Sequence, residues 1–215
     1  MPGTSDTAAY ATLDALRSQL QRGPTSPSRS AYEAKQVHRV PDAEVADRRG
    51  FVLDMCRGKR VLEFGASGPM HISVVGVATA VLGIDRRDSD GVIGFDLDDV
   101  SQQSLPGSDF APDIVFCGEV IEHLSNPGWF LTRLRRQFAT TPVLITTPNA
   151  FSAAGAQQIQ RGIENVNIDH CFWPSFRTLK TLLWRAGYTE FQFCWYGGKP
   201  LTAEGIIVLC EGPTS

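Results

Sequence analysis

The sequence predicts an α/β fold built on a doubly wound, mostly parallel sheet, and three observations lead there. Beyond Lys59, short runs rich in Val, Ile, Leu and Phe alternate with stretches of helical spacing. The runs are apolar almost throughout rather than at every second residue, as expected of strands covered on both faces. Three of them end in or beside an acid, Glu63, Asp85 and Asp96, at the strand ends where open α/β sheets bind their ligands.

Taken in order, Tyr10, Leu13, Leu16 and Leu20 recur at helical spacing and predict a helix over 7–21, with Ser5 or Asp6 as its cap. The Pro/Ser-rich segment "RGPTSPSRS" is a connector. A second amphipathic helix is expected over 43–57, turning Val45, Phe51, Val52, Leu53 and Met55 to a core. Residues 1–57 thus read as an N-terminal helical extension, in which "AYEAKQVHRVPD", with Tyr32, Gln36 and His38, is a candidate lid; residues 58–215 form the main domain. Its expected strands are "RVLEFG" (60–65), "AVLGID" (80–85), "GVIGFD" (91–96), "PDIVFCG" (112–118) and "PVLITTP" (142–148), with helices over 119–137 and 175–187. "EFQFCWY" and "GIIVLCE" close the chain as a candidate antiparallel edge pair.

Composition narrows the function classes. Twenty Lys and Arg stand against 23 acids, a net charge of −3, so no basic field is present to hold a nucleic acid duplex. The five cysteines include no CxxC pair, which argues against a zinc ribbon or redox site and for reduced, buried thiols. No apolar run approaches the ~20 residues of a membrane span, and "MPGTSDTAAY" lacks the regions of a signal peptide. The expectation is a cytoplasmic protein, monomer or homodimer, with no membrane partner.

The segment "VLEFGASGP" ends an apolar strand in an acid, then turns through Gly65 and Gly68 to Pro69 at a helix start. Glycines at such a turn let the backbone approach a ligand, and the helix N-terminus offers free N–H groups. Asp85, 22 residues beyond Glu63, ends the next strand where a carboxylate can accept from both hydroxyls of a ribose. Asp96, or the Leu97 backbone, follows at the end of the third, where an adenine edge would lie. A nicotinamide reading is weaker, because "GASGPM" has no third glycine in GxGxxG register. Only "RRDSD" separates Asp85 from Gly91, so a short loop, not a helix, joins the second and third strands.

Over roughly 58–211 the chain resembles the class I S-adenosylmethionine-dependent methyltransferases, on "VLEFGASG", "GIDRR", "GFDLDD", "SDFAPDIVFCGEVIEHL", "LITTPN" and "TLKTLLWRAGY". The resemblance implies a Rossmann-like sheet of seven strands in the order 3-2-1-4-5-7-6 with the last strand antiparallel. It also implies S-adenosyl-L-methionine as cofactor, held by Glu63, Gly65, Ala66, Gly68, Asp85, Asp96, Leu97 and Gly118.

Behind the fourth strand, "FCGEVIEHLSNP" puts Glu119, Glu122 and His123 at i, i+3 and i+4, one face of a helix if the segment is helical. Two carboxylates and an imidazole can hold a divalent cation, magnesium or another. His170, in "NIDHCFW", is a candidate fourth ligand. The set Glu119, Glu122, His123 and His170 resembles the metal sites of small-RNA 3′-end 2′-O-methyltransferases and of quinone O-methyltransferases. Without a metal, His170 or His123 is the general base, and Glu119 joins them as a candidate catalytic group.

Residues 149–174 form a polar insertion carrying Phe151, Phe172 and Trp173, surfaces suited to a polyhydroxylated or aromatic acceptor. "EVIEHLSNP", "TTPNAFS" and "DHCFW" together look most like methyltransferases of sugars and glycosylated metabolites. The expected activity is O-methylation of a hydroxyl on a sugar, polysaccharide precursor or glycosylated metabolite. Methylation at an RNA 3′ end, a quinone-type small-molecule O-methyltransferase and a non-catalytic cofactor-binding module are the alternatives.

Overall fold

The computed structural model describes residues 41–211. The helix expected over 7–21 and the lid candidates Tyr32, Gln36 and His38 lie outside the described residues. The strands are β1 (Glu44–Val45), β2 (Arg60–Phe64), β3 (Ala80–Asp85), β4 (Val92–Gly94), β5 (Ile114–Gly118), β6 (Val143–Pro148), β7 (Phe191–Tyr196) and β8 (Gly205–Cys210). The helices are α1 (Arg48–Cys56), α2 (Gly68–Val75), α3 (Pro127–Gln137), α4 (Ala153–Gln160) and α5 (Phe176–Arg185).

All strands join one sheet in the order β1-β7-β8-β6-β5-β2-β3-β4. Only β8 runs antiparallel to its neighbours, β6 and β7. Among the described residues the sheet has eight strands rather than seven, because Glu44 and Val45 pair with Trp195 and Tyr196 along the outer side of β7. The remaining seven keep the implied order. "GIIVLCE" is therefore an interior strand and not an edge: five of the six residues of β8 are buried.

Side chains alternate between two cores, as the pleat requires. On β2 and β5, Val61, Ile114 and Phe116 join Val52 and Cys56 of α1 and Val74 of α2. Leu62, Phe64, Val115 and Cys117 face the other way, onto Phe130, Leu131 and Leu134 of α3 and Leu179 and Leu183 of α5. Phe64 and Phe130 meet edge to face at 5.4 Å. This double burial explains why the strands read as continuous apolar runs.

The helix expected over 119–137 is not continuous. Glu119 has a left-handed backbone, φ 56°, which no helix accommodates. Residues 121–123 form one 3-10 turn, and α3 begins only after Asn126, whose side chain accepts from the Trp129 N–H at 3.0 Å, with Pro127 opening the first turn. The shared helical face of Glu119, Glu122 and His123 is thereby lost. Conversely, the polar insertion contains α4, capped by Ser152 onto the Gly155 N–H at 3.1 Å. α5 starts at a capping box between Ser175 and Thr178.

Arg133 of α3 is almost wholly buried, 1% exposed, and holds the segment after β4. Its guanidinium donates to the carbonyls of Gln102, at 2.9 Å, and Leu97. Arg133→Leu is expected to destabilise the protein by about 2–3 kcal/mol, since charge-assisted bonds vanish and a half-buried carbonyl is orphaned. That is a fall in Tm on the order of 5–10 °C for a domain of this size. Thermal melts check it; a Tm within about 1 °C of wild type would contradict the bracing role.

Candidate active site

The parallel strands deliver their C-terminal ends to one open cleft of about 1040 Å³. Glu63, Gly65, Ala66 and Gly68 line it from the β2–α2 turn. Asp85 lines it from the end of β3, Asp96 and Leu97 from beyond β4, and Gly118 from the end of β5. The turn folds back on the sheet, the Gly65 and Ala66 N–H groups donating to the Ile84 carbonyl at 2.8 and 3.1 Å. Gly65 has φ 77°, and a Cβ there would lie 2.4 Å from Val120 Cγ2, so only glycine fits. Ser67 occupies the α2 cap without a side-chain cap bond, which leaves the helix N-terminus to a ligand. No helix bridges β3 and β4; a Ser89–Val92 bridge closes the short loop.

Asp85 Oδ1 accepts the Arg86 N–H at 2.7 Å, which fixes its carboxylate at the strand end. Asp96 accepts from the Asp98 N–H at 2.9 Å, and Asp98 in turn accepts from the Ser125 N–H at 2.9 Å. The loop after β4 is thus tied to the loop before α3.

The "EVIEH" side chains divide into two groups. Glu122, His123 and His170 converge, with one ligand-type atom of each lying within 4.8 Å of the others. The His123 and His170 rings meet edge to face, centroids 4.6 Å apart. Glu122 Oε2 accepts from Thr147 Oγ1 at 3.0 Å, and the Glu122 carbonyl accepts the Cys171 N–H at 2.7 Å, which clips the His170 loop to the turn. Glu119, one of the four expected ligands, stands outside this trio. Its Oε1 is ion-paired to Arg48 Nη1 at 2.5 Å and accepts from Thr146 Oγ1 at 2.9 Å and Tyr196 Oη at 3.2 Å. The left-handed backbone at Glu119 separates it from Glu122 and His123.

Among the described residues, Glu122 Oε1 and His170 Nδ1 are buried without a hydrogen-bond partner. Such orphans are uncommon in folded proteins, and carboxylate oxygen with neutral imidazole is a donor set that divalent cations take. Three ligands sharing one ion with bonds of ~2.1 Å sit roughly 3–3.6 Å apart. Inward rotation of these side chains would bring the trio to that spacing, so its residues fit a cation.

The profile of a family described as "Methyltransferase domain" matches residues 34–191. The chain belongs to that family. Its cofactor is accordingly S-adenosylmethionine. Among solved structures, the chain is similar to the small RNA methyltransferase HEN1, with TM-score 0.62 and 16% identity over 83% of this chain. It spans only 27% of the length of HEN1. An S-adenosylmethionine-dependent methyltransferase from Thermotoga maritima, titled a possible histamine N-methyltransferase, gives TM-score 0.56 and 12% identity over 77% of this chain and 94% of its own. Another, from Archaeoglobus fulgidus, gives 0.51 and 14% over 75% and 93%. At these identities the likenesses show the fold alone. No curated protein sequence matches the chain.

Electrostatics in this methyltransferase follow burial. Desolvation, then the neighbouring Glu119 charge, push the Glu122 carboxyl up to about 8. Burial, then His123, hold His170 below the ordinary imidazole value, so at neutral pH its ring is uncharged. Burial also raises Glu63, only partly offset by His71, whose Nδ1–H donates to Glu63 Oε2 at 2.8 Å. A raised acid stabilises the fold fully below its unfolded value near ~4.3, and that contribution is lost as pH rises through the folded value. Glu63→Gln is therefore expected to gain in Tm relative to wild type as pH climbs from ~4 towards neutrality. Parallel melting curves across that range would contradict this.

Sequence reasoning missed Arg48, Thr146, Thr147, Tyr196 and His71. The two adjacent threonines in "VLITTP" were the available signal: both are wholly buried, polar groups in an otherwise apolar strand. Arg48 and Tyr196 reach the site only through the fold and left no local mark. Among the described residues no helix is long and apolar enough to cross a membrane.

Proposed function

We propose that the protein is an O-methyltransferase that transfers the methyl group of S-adenosylmethionine to a hydroxyl of a sugar, polysaccharide precursor or glycosylated metabolite, assisted by a divalent cation at Glu122, His123 and His170. The observation that carries the reading is the convergence of Glu122, His123 and His170 beside the cofactor cleft, which His123 itself lines. When bound there, a cation supplies Lewis acidity that lowers the pKa of an acceptor hydroxyl.

The chain's own residues do the rest. Asp85 would receive the ribose hydroxyls of the cofactor, the Glu63–Gly68 turn its methionine end, and Asp96 with Leu97 its adenine, while Gly118 allows the close approach at β5. Thr147 holds the Glu122 carboxylate, and the Cys171 N–H holds the loop that presents His170. Catalysis is then mostly alignment of two reactants. In the absence of a cation, the neutral His170 ring or His123 is the proton acceptor for the hydroxyl.

Turnover should fall at least tenfold after chelation, because an uncoordinated hydroxyl ionises poorly at neutral pH, and return with magnesium or manganese. Unchanged turnover after exhaustive chelation would remove the cation and leave the histidine base. The likeness to a small RNA methyltransferase favours a second reading, methylation of a ribose 2′-hydroxyl at an RNA 3′ end. The net charge of −3 weighs against it, and salt-dependent RNA binding would revive it.

A further inference from the structure

A second, smaller cavity of about 230 Å³ opens beside His170, between α4, the 165–173 segment and the start of β8. One member of the histidine pair lines each cavity: His123 the cofactor cleft, His170 the smaller space, with their rings 4.6 Å apart. We infer that this small cavity is the acceptor subsite and takes one neutral sugar ring, selected by Gln158, Asn165 and Glu204. The inference rests on the hydroxyl-methylating reading above and specifies its acceptor.

Size gives the first argument. The volume falls below the ~300–1,000 Å³ of drug-sized sites, which leaves space for one ring and not for a nucleotide or disaccharide. Polarity gives the second. Some lining groups are spent on the fold: Asn149 Nδ2 donates to the Leu201 and Ala203 carbonyls at 2.7 and 2.9 Å, and its Oδ1 accepts the Phe151 N–H at 3.2 Å. The Ser152 hydroxyl caps α4. Among the described residues, the side chains of Gln158, Asn165 and Glu204 carry no such internal hydrogen bond. They offer two amides and a carboxylate to a ring bearing several hydroxyls, while Trp173 adds an aromatic wall.

Charge gives the third. Among the described residues, the cavity has Glu204 in its lining and neither Lys nor Arg. A phosphorylated sugar, a uronate or a nucleotide would enter unpaired against that carboxylate, whereas the hydroxyls of a neutral ring can donate to it.

The test is transfer of labelled methyl from S-adenosylmethionine to methyl glucoside, galactoside, mannoside and rhamnoside, set against glucuronic acid, glucose 6-phosphate and uridine 5′-monophosphate. Each protein's affinity for S-adenosylhomocysteine is measured in parallel. A neutral glycoside is expected to be methylated in preference to every anionic probe. Gln158→Ala and Asn165→Ala should each raise KM for it about three- to tenfold with cofactor affinity unchanged. Glu204→Gln should raise methylation of glucuronic acid relative to the neutral glycoside. Glycoside methylation with KM unmoved in both alanine variants would overturn the subsite and leave the proposed function standing. Preference for a phosphorylated probe would overturn the neutral-ring assignment. Cofactor binding without methylation of any glycoside would overturn the sugar reading itself, and the subsite with it.

Discussion

His170→Ala is expected to lower turnover by about 10²–10⁴-fold, the range over which positioned acid–base groups act, while cofactor affinity stays within about twofold of wild type. The split follows from where the residue sits. His170 lines the small cavity rather than the cofactor cleft, and its ring completes the trio with Glu122 and His123. The loop should survive the substitution, because the Cys171 N–H bond to the Glu122 carbonyl is a backbone contact that alanine leaves intact. Calorimetry with S-adenosylhomocysteine and single-turnover methyl transfer separate the two quantities. The same calorimeter, loaded with manganese, distinguishes a ligand from a base: a ligand's loss abolishes the manganese isotherm, a base's loss does not. Matching losses of cofactor affinity and turnover would refute the assignment.

What the sequence disclosed of this site, and what it hid, has one physical origin. Strands buried on both faces write their boundaries in local composition, so "RVLEF", "AVLGID" and "IVFCG" could be read directly, as could the acids at their ends. The turn after β5 could not. Residues at i, i+3 and i+4 are neighbours on any helix, but "EVIEH" follows a left-handed Glu119. That residue is held by partners remote in the chain, Thr146 at 27 and Tyr196 at 77 residues' distance. Tertiary contacts outweighed the local pattern there. The same partners explain why only three of the four expected side chains converge. Arg48 reaches Glu119 from α1, an element whose place beside the sheet is set by Val52 and Cys56 packing into the core. α4 went unrecognised for a different reason. "SAAGAQQIQ" has a serine cap and good helix formers, but no buried residue to give it an apolar period.

Asp85→Ala should move the opposite quantity. A carboxylate accepting from two ribose hydroxyls makes charge-assisted bonds worth roughly 1.5–3 kcal/mol each, so the dissociation constant for S-adenosylhomocysteine is expected to rise about 100-fold or more. The half-buried side chain at the end of β3 is held by one internal bond, to the Arg86 N–H. Its loss should leave the fold intact, since β3 remains paired to β2 and β4 through backbone bonds. Asp85→Asn retains one acceptor oxygen and should lose about tenfold less affinity than alanine, a graded series that a merely structural role would not produce. Contacts to the ribose lie far from the transferred methyl and bind ground state and transition state alike. Saturating S-adenosylmethionine should therefore restore turnover in Asp85→Ala to within a few fold of wild type, whereas no cofactor concentration rescues His170→Ala. Turnover in Asp85→Ala that stays depressed at saturation would move this carboxylate from holding the cofactor to aligning its methyl group.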